Sequence, residues 1–319
     1  MVDTNTQREC PSSLRTVDMV DCHFFVNKYK IIMKIRYKSC KDLSDCIRNN
    51  IYKVPKDIDL IVGIPRSGML AASMISLFLQ KPLCSFNEFI RKDDIQGGNR
   101  IGLLKKFEDV KKVLIIDDTV FFGTAMSKVR QQLLNFDTDI EILFGCIYAE
   151  GPNAKNLVDI YFEDNYDPTP NSFQFYEWNI LQQGEGHTIK FLYDLDGVLC
   201  KEPPDERLVE EYEKYIVNAD CLHIPNSKIG GIVTYRLKKH SEQTLKWLKE
   251  NNVDFGFLAM VPFDKREDVK FAPHDFKAYY YKQLDWAQLF IESDDYQARM
   301  IQHLTGKPVY CYTTGIMYG

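Results

Sequence analysis

No run in the sequence approaches the about 18 consecutive apolar residues that a membrane-crossing helix requires, so no membrane span is expected. Basic residues are not in excess either. Lys and Arg total 40 against 45 Asp and Glu, for a formal net charge of −5. A general nucleic-acid binder neutralises phosphates with a basic surface, so that class is set aside and any anionic ligand has to be held locally. The nine cysteines, Cys10, Cys22, Cys40, Cys46, Cys84, Cys146, Cys200, Cys221 and Cys311, include no CxxC pair and no Cys/His cluster of zinc spacing, and they read as reduced thiols. The opening MVDTNTQREC lacks the basic and apolar regions of a signal peptide, and the expected location is the cytoplasm. Internal repeats and low-complexity tracts are absent too.

What is present is an alternation. Apolar, β-branched runs end in polar or glycine-bearing corners and are separated by amphipathic stretches, the pattern of α/β units with parallel strands. With 319 residues, 45% of them apolar, the length favours two domains. Strands are expected at Leu60–Ile64, Val113–Ile116 and Ile140–Tyr148, then at Ile189–Tyr193, Ile229–Val233, Phe255–Met260, Leu289–Ile291 and Val309–Tyr312. Helices are expected over Met69–Leu79, Thr124–Leu134, Lys238–Glu250, with Leu245 and Leu248 on its apolar face, and Tyr296–Leu304. An aromatic cluster at Phe173, Phe175, Tyr176 and Trp178 precedes Gly184-Glu185-Gly186, where the boundary is placed. The expected domains are 1–184, with a core of about 55–150, and 185–319.

In the second half, Tyr193-Asp194-Leu195-Asp196-Gly197-Val198 ends a strand in two acids one residue apart, at the sheet edge where ligands of α/β folds collect. Ile232-Val233-Thr234 ends another strand in a hydroxyl, Lys277 follows on a helix with Lys282 as its competitor, and Leu289 to Asp295 ends a third strand in Glu292, Asp294 and Asp295. Arg236, just beyond Thr234, reads as a solvated residue and a secondary phosphate candidate. From about Lys190 onward this order of corners resembles the haloacid dehalogenase superfamily. The resemblance implies Asp194 as nucleophile on phosphorus, Asp196 as acid and base, Thr234 and Lys277 as phosphate and charge partners, and Mg2+ held by Asp194, Asp196, Glu292 and Asp294.

In the first half, Val113-Leu114-Ile115-Ile116-Asp117-Asp118-Thr119 is a buried strand ending in paired acids, and Gly123-Thr124 opens a helix whose free N–H groups suit a phosphate. Upstream, Ile61-Val62-Gly63-Ile64-Pro65-Arg66-Ser67-Gly68 leads from a strand into a cationic, glycine-bearing loop, and Arg91 to Arg100 forms a charge-rich candidate lid. These segments resemble the type I phosphoribosyltransferase fold. The resemblance implies binding of phosphoribosyl pyrophosphate, with Arg66, Ser67 and Gly68 at the diphosphate, Asp117 and Asp118 at the ribose hydroxyls, and Gly123 and Thr124 at the 5-phosphate. Phe121 and Phe122 stand where that family carries hydroxylic residues, and Thr124 and Ser127 are the candidate substitutes.

Together the halves imply two parallel-sheet α/β domains, phosphoribosyltransferase-like and then HAD-like, similar to dual-domain ribofuranosyltransferases of surface polysaccharide synthesis. Such an enzyme would transfer phosphoribosyl to a glycan acceptor, including a lipid-linked one, and then remove the 5-phosphate. Two alternatives stand beside it: nucleotide salvage with a fused 5′-nucleotidase, and a domain sensing phosphoribosyl pyrophosphate beside an active phosphatase.

Overall fold

The computed structural model describes residues 34–93, 95, 106–169, 172–182, 185–204 and 209–319. Cys10, Cys22, Gly184 and, of the charge-rich candidate lid, Asp94 and residues 96 to 100 lie outside them. The chain divides into two compact units, one of Arg36–Trp178 and one built mainly from Asn179–Gly319.

The first unit runs β1 (Lys34–Lys38), α1 (Cys40–Asn50), β2 (Leu60–Gly63), α2 (Gly68–Leu79), β3 (Leu83–Ser85), α3 (Phe86–Arg91), β4 (Lys112–Val120), α4 (Thr124–Leu133), β5 (Glu141–Ala149), β6 (Ile160–Asp164) and β7 (Ser172–Tyr176). Its main sheet has the order β3-β2-β4-β5-β6 with every pairing parallel, and β1 pairs with β7 separately. The central strand β4 is buried on both faces, which is why it reads as a continuous apolar run. Its alternate residues serve different cores: Val113 and Ile115 pack with Phe89 and Met126, whereas Leu114 and Ile116 pack with Ile47, Ile75 and Tyr148. Of the expected aromatic cluster, Tyr176 and Trp178 belong to the second of these cores, where they join Tyr148, while Phe175 is buried and Phe173 half-buried.

The other unit runs α5 (Glu185–Thr188), β8 (Phe191–Tyr193), α6 (Val209–Asn218), β9 (Gly231–Leu237), α7 (Ser241–Glu250), β10 (Leu258–Val261), α8 (Pro273–Gln283), β11 (Leu289–Glu292), α9 (Asp295–Thr305), β12 (Val309–Cys311) and β13 (Ile316–Tyr318). Its six-stranded sheet has the order β10-β9-β8-β11-β12-β13. All neighbours are parallel except β13, which returns antiparallel to β12.

Two expectations are corrected in detail. The helix expected over 238–250 is a single 3-10 turn at Lys238–His240 followed by α7, whose buried face is Thr244, Trp247 and Leu248, with Leu245 only half-buried. Trp247 takes the inward position because its indole N–H finds the Ala219 carbonyl at 2.8 Å, satisfying a donor that burial would otherwise strand. The strand placed at Ile229–Val233 begins at Gly231 and runs on to Leu237, which carries Arg236 into the interior.

Candidate functional sites

In the first unit, β4 does not stop at its acids. It continues through Val120, still paired with β5 as Thr119↔Tyr148 and Val120↔Ala149. The strand period then separates the two adjacent acids, and Asp117 and Asp118 point to opposite faces. A pocket of about 220 Å3 is lined by Asp117, Thr119, Phe121, Phe122, Gly123 and Thr124 among others, and Asp118 does not line it. Gly123 adopts φ +72°, the left-handed conformation that glycine favours, and so turns the chain from β4 into α4. Phe121 and Phe122 lie edge to face at 4.5 Å on the exposed rim. Thr124 and Ser127, the candidate hydroxyl substitutes, are exposed on the first turn of α4.

The loop between β2 and α2 meets the acids from the other side. The Ser67 hydroxyl donates to Asp118 Oδ1 at 2.9 Å, and a Cβ on Gly68 would lie 2.9 Å from Asp117 Oδ1, so only glycine lets the helix start close on that carboxyl. Arg66 is exposed. Burial first, and then the negative charge and hydrogen bond of Asp118, push the Asp117 carboxyl up to about 8. Asp117 can therefore offer a ligand a donor as well as an acceptor near neutral pH.

In the other unit, Asp194 follows β8, Glu292 ends β11, and Lys277 on α8 reaches between them. Its Nζ donates to Asp194 Oδ2 and Glu292 Oε2, both at 2.7 Å, and to Gln297 Oε1 at 2.9 Å. Lys277 is 2% exposed, Asp194 5% and Glu292 0%, so this is a buried, charge-assisted network. Burial pulls the Lys277 ammonium down, but Asp194 and Glu292 outweigh it and hold the group above its ordinary value, fully charged. Burial pushes the Asp194 carboxyl well up, Lys277 pulls it back, and Glu292 and Asp196 add to the rise. Of the competing lysines, Lys282 is exposed on the opposite side of α8.

Asp196 is held differently. The buried Arg236 guanidinium clasps both of its oxygens, with Nε at 3.0 and 3.1 Å and one terminal nitrogen at 2.6 Å, and the Tyr215 hydroxyl donates to Oδ1 at 2.6 Å. Burial would raise this carboxyl, but Arg236 and the hydrogen bonds outweigh it and hold it below its usual value. The reading of Arg236 as a solvated residue is thus corrected: at 1% exposure it is the counter-ion of Asp196. The sequence signal was a lone cation inside the apolar strand Ile232-Val233-Thr234-Tyr235-Arg236-Leu237, a position from which a charge can point only into a core that holds its partner. Thr234 is buried on the same strand, its hydroxyl oxygen accepting the Arg236 backbone N–H at 3.3 Å.

The acids expected at a metal are only partly brought together. Glu292 joins Asp194 through Lys277, whereas Asp294 Oδ1 accepts the Gln297 N–H at 2.7 Å and caps α9, and Asp295 pairs with Arg299. Among the described residues no three His, Cys, Asp or Glu side chains are grouped so as to hold a metal. The donors that fit a hard cation are the Asp194 and Glu292 carboxylates with the Asp196 backbone carbonyl, an all-oxygen set in which acids outnumber bases. That carbonyl accepts the Ser293 hydroxyl at 3.3 Å, and the same hydroxyl donates to Glu202 at 2.9 Å, which brings a further acid to the edge of the cluster. Glu202 carries no signal that sequence reasoning could have used.

Residues 29–173 match the family model of the phosphoribosyl transferase domain, so the N-terminal region carries a domain of phosphoribosyltransferase type. The transcriptional regulator GfcR of Methanococcoides burtonii is 33% identical over 95 residues, covering 28% of this chain and 45% of that protein. The transcriptional regulator GfcR 2 of Methanosarcina acetivorans is 26% identical over 122 residues, 37% of this chain and 59% of that one. The chain spans about half the length of the curated relatives it matches. Among solved structures, the xanthine-guanine-hypoxanthine phosphoribosyltransferase of Helicobacter pylori aligns with 15% identity and a TM-score of 0.35 over 46% of this chain and 94% of its own. Among the described residues no helix is long and apolar enough to cross a membrane.

Proposed function

We propose, from the phosphoribosyltransferase-type domain as premise, that the chain is a two-step ribofuranosyl-transferring enzyme whose second unit, residues 185–319, is a HAD-like phosphatase. In the first step phosphoribosyl pyrophosphate binds with its ribose at Asp117 and Asp118, its diphosphate at Arg66, Ser67 and Gly68, and its 5-phosphate at Gly123 and Thr124; a glycan hydroxyl oxygen bonds to the anomeric carbon, the bond from that carbon to the diphosphate breaks, and the hydroxyl proton leaves with the diphosphate or to water. In the second step Asp194 attacks phosphorus: an Asp194 Oδ–P bond forms, the bond from phosphorus to the ribose oxygen breaks, and the ribose oxygen takes a proton. Water then cleaves the acyl phosphate. Asp196 in its clasp with Arg236 is ionised and fit to take a proton from that water; to deliver one to the leaving oxygen its carboxyl has to part from Arg236. Thr234 would hold a phosphoryl oxygen, and Lys277, whose three protons go to Asp194, Glu292 and Gln297, would hold one by giving up its bond to Gln297. Mg2+, held by Asp194, the Asp196 carbonyl and Glu292, would offset the negative charge that gathers there.

The observation that carries the second step is the buried bridge from Asp194 through Lys277 to Glu292. Buried ionisable groups with strongly perturbed protonation cluster at functional sites, and this bridge joins three of them. The first step is tested by incubating the full chain with phosphoribosyl pyrophosphate, Mg2+ and either oligosaccharides or purine, pyrimidine and orotate bases. Ribose transfer to oligosaccharide supports the glycan reading. Diphosphate release that depends on a base, ending in a nucleoside, replaces it with nucleotide salvage.

A second reading is favoured by one observation, that the curated relatives the chain matches are named transcriptional regulators. In it the first unit binds phosphoribosyl pyrophosphate as a signal and only the phosphatase turns over. Calorimetric binding without diphosphate release under any acceptor would select it.

A further inference from the structure

We propose that Asp118 is not a ribose ligand but the anchor of the Arg66–Gly68 loop, gripped in place by Trp178, so that of the acidic pair only Asp117 meets the ligand. The inference rests on the reading of the first unit as a site for phosphoribosyl pyrophosphate and replaces that reading's placement of Asp118 at the ribose. Three observations converge. As adjacent residues of β4, Asp117 and Asp118 point to opposite faces, Asp117 to the pocket and Asp118 to the face of Leu114, Ile116 and Trp178. Both oxygens of Asp118 already hold a donor there: Oδ1 takes the Ser67 hydroxyl at 2.9 Å and Oδ2 the Trp178 indole N–H at 2.6 Å. The carboxylate is 3% exposed, whereas Asp117 lines the pocket.

Trp178 is itself fixed. Its ring lies 4.8 Å from that of Tyr176, which in turn lies 5.7 Å from Tyr148 on the neighbouring strand. A donor mounted on this aromatic stack holds one Asp118 oxygen and leaves the other to fix Ser67. The residue before α2 is thereby tied to the central strand, which keeps the loop meant for the diphosphate in its binding shape before the ligand arrives. Trp178 and Asp118 are positioning residues in this arrangement, and Asp117, whose carboxyl opens to the pocket, is the group that touches the ribose.

The test uses the full chain and two readouts: calorimetric affinity for phosphoribosyl pyrophosphate with Mg2+, and amide hydrogen exchange over residues 64–70. Asp118→Asn cannot accept from both donors and is expected to speed exchange in the loop severalfold and to weaken binding about tenfold. Trp178→Phe keeps the ring and loses the N–H, and it should move both readouts in the same direction by less, which guards against simple misfolding of the Asp118 variant. Asp117→Asn should weaken binding and leave exchange over 64–70 unchanged. Unchanged loop exchange in Asp118→Asn overturns the anchor, and so does a loosened loop with full affinity. If the wild-type chain binds no phosphoribosyl pyrophosphate, the reading of the ligand fails separately, and the exchange arm alone decides the anchor.

Discussion

Replacing Lys277 with methionine keeps most of the side-chain volume and removes the only ammonium that touches both Asp194 and Glu292 among the described residues. The loss is set by what remains. Two carboxylates, 5% and 0% exposed, would face each other without the cation between them, and breaking a buried ion pair by deleting one partner costs about 3–5 kcal/mol. Against a total of about 5–15 kcal/mol for a domain, that is a large fraction. At about 2–4 °C per kcal/mol for units of this size, the unfolding temperature of the second unit should fall by about 6–20 °C. Differential scanning calorimetry of the full chain reads this directly, with Lys282→Met as the control, since that lysine is exposed and should move stability by no more than about 0.5 kcal/mol. Adding Glu292→Gln to Lys277→Met removes one of the stranded charges and should recover part of the loss. If Lys277→Met costs no more than Lys282→Met, the bridge is not what holds the three elements together and the reasoning fails.

Burial sets two further expectations. The Asp117 carboxyl is held up at about 8, whereas an unfolded aspartate titrates near 3.9, so the folded state keeps a proton the unfolded chain has lost, and stability should fall as pH rises from about 4 to about 8. Asp117→Asn removes that slope; urea midpoints of the two proteins between pH 6 and 8.5 should converge as pH falls and separate in favour of the variant as it rises, and parallel lines would contradict the burial argument. A Cβ at Gly151 would lie 1.9 Å from the Phe121 carbonyl oxygen, so Gly151→Ala should push the chain after β4 away from the end of β5 at a cost of about 1–3 kcal/mol. An unchanged urea midpoint in that variant would mean that the close approach is not needed.

Strands buried on both faces were the most legible parts of the sequence. β4 and β5 announce themselves as continuous apolar runs, and the elements around them follow from glycine and hydroxyl corners. What could not be read was the half-exposed periphery. β1, Lys-Ile-Arg-Tyr-Lys, and β7, Ser-Phe-Gln-Phe-Tyr, are short and carry polar residues whose partners are distant in sequence, such as Lys38 with Glu163. The acid pairs were legible as acids but not as individuals. Asp117 and Asp118 are adjacent in sequence and face opposite ways because the strand does not end where the polarity begins. By residue type Asp294 is as good a metal ligand as Glu292, but its carboxylate caps α9, and the residues around Asp196 do not single out Arg236 as the cation that holds it.

The central claim is that the two units act in sequence on one ribosyl group. Its most direct test is Asp194→Asn in the full chain, incubated with phosphoribosyl pyrophosphate, Mg2+ and an oligosaccharide acceptor, with diphosphate, inorganic phosphate and the acceptor all followed. The expected result is undiminished diphosphate release, no inorganic phosphate, and accumulation of acceptor bearing a ribose 5-phosphate. Inorganic phosphate released as fast as by the wild-type chain would contradict the claim outright.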